Sequence, residues 1–155
     1  MPVTLPNSYQ NAPTRLGDVT QTMLDLYNVV QQLNGVTGTG IGYVSGSSVG
    51  GTVTQTAGAR TNAVTINKLS GQITGDNTSL AANTSASFTV NNSFVGLNDT
   101  ISLSVQSGPT ANTSIFTVST VAAGSFVIRI SNISTSTADT GAPIINFNVI
   151  KGTSN

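Results

Sequence analysis

Histidine, cysteine, tryptophan and glutamate are all missing from this chain of 155 residues, and each absence removes a class of chemistry. Without thiolate or imidazole ligands, structural zinc and most transition-metal sites are excluded. Without histidine, no serine nucleophile has its usual proton acceptor. Without glutamate, a glycosidase pair would have to come from Asp18, Asp25, Asp76, Asp99 and Asp139 alone. The first two fall in a helical pattern and the other three in turn-like stretches, where Asp is expected for backbone reasons. Charge is scarce: five Asp are balanced by Arg15, Arg60, Lys68, Arg129 and Lys151. These cations are scattered, so no basic stripe exists to neutralise phosphates, and nucleic acid is not an expected partner. No apolar run approaches the roughly 20 residues that span a bilayer, and no basic-then-apolar leader opens the chain. The expectation is a protein with no membrane partner, kept on the side where it is made.

The remaining catalytic patterns fail on chemistry. Gly46-Ser47-Ser48-Val49-Gly50 matches the G-x-S-x-G of a hydrolase elbow, but the chain has no His and no helical pattern after Gly50. Lys68 and Lys151 have nothing to position them beside a serine and read as solvated. Asp76-Asn77 and Asn98-Asp99 offer oxygens to calcium but fall short of the several carboxylates such sites gather. No glycine-rich phosphate loop with its lysine is present. Six Asn-x-Ser/Thr sequons, at Asn77, Asn83, Asn91, Asn98, Asn112 and Asn132, read as turn and strand-face chemistry in a chain so rich in these residues. No enzyme and no cofactor is expected; a structural or binding protein is what remains.

What the chain does have is a seam. Leu16, Val19, Met23, Leu26, Val30 and Leu33 recur at steps of three and four, the rhythm of a coiled-coil interface. Asn34-Gly35 supplies a left-handed stop. The reading is a helix within 16–35, about 25 Å long over about 17 residues. Isolated helices of this length are marginal in water, so it needs a partner. That partner is either the chain's own sheet or the same helix in other copies. Tyr27 and Val29 widen the apolar stripe, and no charged pairs flank it, which favours a homo-oligomer, with a trimer as the expectation. Before the helix, residues 1–15 contain Pro2, Pro6 and Pro13 and read as an extended arm. Val3, Leu5 and Tyr9 are its candidate contact residues on a larger shell. After the helix, residues 36–51 form a Gly/Ser-rich connector.

From 52 to 155 the texture becomes short alternating runs. Eight strands are expected: Thr52–Thr56, Asn62–Asn67, Gln72–Thr74, Ser85–Val90, Thr100–Gln106, Ser114–Val121, Ser125–Ser131 and Pro143–Ile150. Alternation is cleanest in Ile101-Ser102-Leu103-Ser104-Val105, which puts apolar and hydroxyl side chains on opposite faces. Leu69-Ser70-Gly71, Gly75-Asp76-Asn77, Gly96-Leu97-Asn98-Asp99, Ser107-Gly108-Pro109 and Ala123-Gly124 read as turns. The fold class expected is mainly β: an antiparallel β-sandwich of about eight strands, with a closed barrel as the alternative.

The segments Gly50-Gly51-Thr52-Val53-Thr54-Gln55, Val64-Thr65-Ile66-Asn67-Lys68-Leu69-Ser70-Gly71-Gln72-Ile73-Thr74 and Ile145-Asn146-Phe147-Asn148-Val149-Ile150-Lys151-Gly152 resemble a β-module of tailed-bacteriophage virion proteins, cyanophages among them. The most specific piece is Asn-Lys-x-Ser-Gly-Gln-Ile-Thr, often written with Pro where this chain has Leu69. The module occurs in capsid cement (decoration) proteins and in longer tail-fibre and head-fibre proteins. The short layout of arm, helix and β-head looks like a cement protein. The resemblance implies a trimer on the outer surface of the capsid, assembled in the host cytoplasm, with the phage major capsid protein as partner and no catalytic residues. The alternative it leaves is a fibre component with a carbohydrate-binding β-domain.

Overall fold

The computed structural model describes residues 50–153 together with Met23. The chain divides into two compact units, Met1–Val44 and Ser45–Asn155. Most of the expected features before residue 50 lie outside the described residues. They comprise the arm with Val3, Leu5 and Tyr9, the seam residues Leu16, Val19, Leu26, Val30 and Leu33, and the connector up to Val49. Met23 has helical backbone and is 67% exposed.

All eight regular elements among the described residues are strands: β1 (Thr52–Thr54), β2 (Val64–Thr65), β3 (Ser70–Thr74), β4 (Ser85–Asn91), β5 (Thr100–Ser107), β6 (Ser114–Ala122), β7 (Ser125–Asn132) and β8 (Ile144–Ile150). Each lies in or overlaps one of the eight expected runs. They form two sheets of four, with strand orders β1-β3-β8-β5 and β2-β4-β7-β6. The apolar halves of the alternating strands meet in one core. Ile73, Ile101, Ile145, Phe147 and Val149 come from the first sheet, and Val64, Phe88, Val90, Phe126, Ile128 and Ile130 from the second. The rings of Phe126 and Phe147 join the sheets, with centroids 5.5 Å apart and planes tilted by 51°, a favourable aromatic geometry.

The sheets are mixed, which corrects the antiparallel expectation. β1 runs parallel to β3 and β2 parallel to β4, while the other four pairings are antiparallel. Parity explains this. Each strand starts at the end where its predecessor stopped, so neighbours an odd number of steps apart in sequence are antiparallel and those two apart are parallel. β1 to β4 alternate between sheets, so β1 meets β3 and β2 meets β4, each two steps apart. Only β6 and β7 form a direct hairpin, turned at Ala123-Gly124 with Gly124 at φ 84.

A second correction concerns Ser70-Gly71, which opens β3 instead of making a turn. A β-carbon on Gly71 would stand 2.7 Å from Ile66 Cδ1, 2.8 Å from Phe147 Cε1 and 2.9 Å from the Gly51 carbonyl oxygen. Glycine is there for close approach of neighbouring chain, not for a bend. Three strands converge at this point. β1, β3 and β8 are adjacent, the Gln72 amide donates to Gly51 O (2.9 Å) and the Val149 amide to Leu69 O (2.7 Å).

Candidate functional site

The alternation that builds the core sends hydroxyls and amides outward, and the parity of the strands sorts the loops into two groups. Loops after β1, β3, β5 and β7 gather at one end of the β-unit, and those after β2, β4 and β6 gather with the tail of β8 at the other. Each end is tied by buried carboxylates.

At the first end Asp139 is fully buried and Arg60 is 4% exposed. Asp139 Oδ1 accepts the amides of Thr110 (2.9 Å) and Gly141 (3.0 Å), and Oδ2 accepts the Ser114 hydroxyl (2.6 Å). Arg60 Nη1 stands 3.6 Å from the same Oδ2. Arg60 donates further to the carbonyls of Thr78, Asp139 and Gly141. Burial is the largest single influence on the Asp139 carboxyl and pushes it up. The Ser114, Thr110 and Gly141 hydrogen bonds and the Arg60 charge together outweigh it, so the group lies below its ordinary value.

Asp76 completes this end. Its oxygens accept the amides of Gly58 (3.0 Å) and Thr78 (2.7 Å), and hydrogen bonding from Thr78 is the main cause of its lowered pKa. Gln55 Oε1 accepts the Asp76 amide, while Gln55 Nε2 donates to the carbonyls of Arg60 and Asn62. Four loops are stitched by polar groups, each of which reaches at least one partner in a remote part of the chain.

At the opposite end Asp99 accepts the amides of Gly96 (2.7 Å) and Gly152 (3.0 Å) and the ammonium of Lys151. The Lys151 hydrogen bond leads the causes that hold its carboxyl at about 2. Lys151 also donates to the Phe94 carbonyl. It is therefore a clamp between β8 and the β4–β5 loop, and not the free surface cation expected. Asn92 bridges the same end, giving Nδ2 to Lys68 O and accepting the Phe94 amide.

The candidate catalytic and metal residues are thus in structural service. Asp99 stands at the opposite end of the β-unit from Asp76 and Asp139. Among the described residues no cluster of three or more metal-ligating acidic side chains occurs. Both Asp76 oxygens and both Asp99 oxygens already accept N–H groups. Of the sequon residues, Asn83 and Asn112 take left-handed backbone, at φ 56 and 59, as turn chemistry requires. Asn132 departs from a surface role. It is 3% exposed, donating to Leu80 O and Thr137 O and accepting the Ser134 amide.

Each sheet also presents an outer face to solvent. The outer face of the first sheet carries an amide row: Gln72 donates to Gln106 (2.7 Å) and to Asn146 (3.1 Å) across β3, β8 and β5. Ser102, Ser104, Asn148, Thr52 and Thr54 stand around it in register. No carboxylate is exposed among the described residues, since all three Asp are buried. The outer face of the second sheet holds one exposed cation, Arg129, beside Ser85 (3.2 Å). Gln55, Arg60, Asn92 and Asn132 were not legible as buried groups, because the partners that each finds are supplied only by chain remote from it or by a folded loop.

Comparison of the chain with protein-family models, with curated proteins and with solved structures found no match.

Proposed function

We propose that the chain is a structural virion protein, a capsid cement (decoration) protein of a tailed bacteriophage, in which a two-layer β-sandwich is presented on a homotrimeric stalk. In this reading the helix within 16–35 joins three copies through Leu16, Val19, Met23, Leu26, Val30 and Leu33. The arm with Val3, Leu5 and Tyr9 lies across the major capsid protein, and the β-units face outward from the shell. Many modest contacts per trimer then bridge neighbouring capsid subunits, and avidity makes the shell hard to open.

The observation that carries the reading is how little charge the β-unit leaves outside. Its three Asp are buried in loop-tying hydrogen bonds, and what remains outside is mostly hydroxyls and amides, interrupted by exposed apolar side chains such as Leu97, Ile133 and Ile150. Such a surface offers little electrostatic resistance to packing against copies or a shell. The seam and the resemblance of β1, β3 and β8 to the phage module add to it. The test is occupancy. The purified chain is expected to have the native mass of three copies, and removal of residues 1–15 is expected to lower its occupancy on capsids by about ten-fold or more through lost avidity. Unchanged occupancy removes the arm from the mechanism. A monomer at high concentration removes the trimer.

A second reading, a tail-fibre or head-fibre component that holds host-surface carbohydrate, is favoured by the amide row of Gln72, Asn146 and Gln106. Planar amides match the paired hydroxyls of a sugar. No Trp is available to stack beneath a ring, which is why this reading stands second.

A further inference from the structure

β5 is the outer strand of the first sheet, and among the described residues only one of its sides is paired. The Val149 amide goes to Leu69 O on the β3 side. The alternate β8 residues Asn146, Asn148 and Ile150 therefore turn theirs to β5, where they stand opposite Ser104, Ser102 and Thr100. It follows that the amides and carbonyls of Ile101, Leu103 and Val105 point away from β8, along the edge of the sheet. Their side chains face inward and are less covered with each step: Ile101 is 9% exposed, Leu103 half-buried and Val105 41% exposed. The bulge at Gln106 comes only after Val105, so residues 100–105 form a regular run, and the edge turns away beyond it. On β6, the other long edge, the bulge falls in mid-strand at Ser119. The β5 run carries no charge and no Pro, the usual guards of an edge.

We infer that β5 is a docking edge for β5 of a second copy of this chain, the two strands joining antiparallel about a two-fold axis at Leu103. The occupant follows from the run itself. Ile101-Ser102-Leu103-Ser104-Val105 has the same chemical pattern in both directions, so antiparallel pairing about Leu103 sets Ile101 against Val105, Ser102 against Ser104 and Leu103 against its own equivalent. That is the self-complementarity an isologous contact requires. The edge groups of Ile101, Leu103 and Val105 then all gain partners, about six hydrogen bonds in all. Apolar side chains meet on the inner face and hydroxyls on the outer one. A charged strand paired with its own copy sets like charges close together; this one has none. One strand from each side covers less than the roughly 1,000 Å² of a free-standing interface, so the contact is weak and forms where copies are already crowded. If three copies are held together as proposed above, a two-fold contact cannot close among them and joins one trimer to the next.

The absence of cysteine makes the register testable. In this pairing Ser102 faces Ser104 of the second copy as a non-hydrogen-bonded pair, with α-carbons about 4.5 Å apart, inside the range of a disulfide. Each serine is about 7–8 Å from its own equivalent, at or beyond that range. Both side chains are exposed, so substitution leaves the fold intact. Full-length Ser102→Cys and Ser104→Cys chains are mildly oxidised at high concentration, each alone and as an equimolar mixture, and covalent pairs are identified by mass. The mixture is expected to form pairs about ten times faster than either variant alone, because only it brings thiols within reach. Adding Val105→Lys to both chains, at a side chain already 41% exposed, points a charge into the joint and is expected to slow the mixture to the rate of the single variants with little change in melting midpoint. A mixture no faster than its parts overturns the inference, as does fast pairing that survives Val105→Lys in a folded chain. Should Val105→Lys fail to fold, the comparison of the mixture with its parts decides alone. The native mass of the parent separates this inference from the trimer: mixed pairs from a monomeric parent remove only the trimer, and a trimer without mixed pairs removes only the β5 contact.

Discussion

Asp99 and Lys151 have opposite fates in water and in this fold. Lys151 is still half exposed, while Asp99 is almost wholly enclosed and accepts two amides besides the ammonium. The carboxyl is therefore held at about 2, against an ordinary 3.8. Asp76 and Asp139 are lowered as well. A carboxyl whose folded pKa is depressed stabilises the fold above its unfolded value, and that contribution is lost as pH falls through the folded value. With no His and no Cys, no side chain has an ordinary pKa between 5 and 8. Thermal melts of the chain are expected to have a flat midpoint from pH 5 to 8 and a falling one from about pH 4 to 2. Asp99→Asn is expected to flatten part of the acid limb. A midpoint independent of pH down to 2 would contradict the role given to the buried carboxylates.

Edges decide what the strands can pair with. β5 and β6 are the long free edges of their sheets, and each is interrupted: Val105 pairs with Ile145 and Ser107 with Ile144, Val118 with Ile128 and Thr120 with Val127. One extra residue, Gln106 or Ser119, is left in each edge. Such bulges twist an edge out of the plane that another strand would join, which matters in a unit with few charges to keep copies apart. The bulge at Ser119 also lets Val118 and Val121, three residues apart, both pack on the core. Deleting Ser119 restores strict alternation from Phe116 through Val121 and straightens the edge. The expected result is a folded protein with a similar melting midpoint that scatters light at a concentration at least several-fold lower than the parent. Unchanged solubility would mean that the bulge protects nothing.

For the whole molecule the choice lies between a β-unit that only packs and one that also holds a ligand. The amide row across β3, β8 and β5 is the feature that a sugar would use. The full chain on a glycan array is expected to give no signal above background, and Gln72→Ala with Asn146→Ala is expected to change nothing. A glycan retained by the parent and lost in the double variant would exchange the two readings of function. The strand runs from 70 onward were legible because alternation between water and core acts over five to nine residues, a length the sequence displays directly. Ala123-Gly124 was legible as a turn for the same local reason. Strand order, the parallel pairs β1–β3 and β2–β4, and the burial of Arg60, Asn92, Asn132 and Asp139 were not. Each depends on which remote loop arrives beside it, and a polar side chain looks the same in sequence whether water or a distant backbone satisfies it. By itself the sequence determined a β-rich chain without the groups for thiol, imidazole or paired-glutamate chemistry. Only the tertiary structure decided that Asp76, Asp99 and Asp139 are fastened inside, because desolvating a charge is tolerable only where the fold supplies amides and cations to meet it.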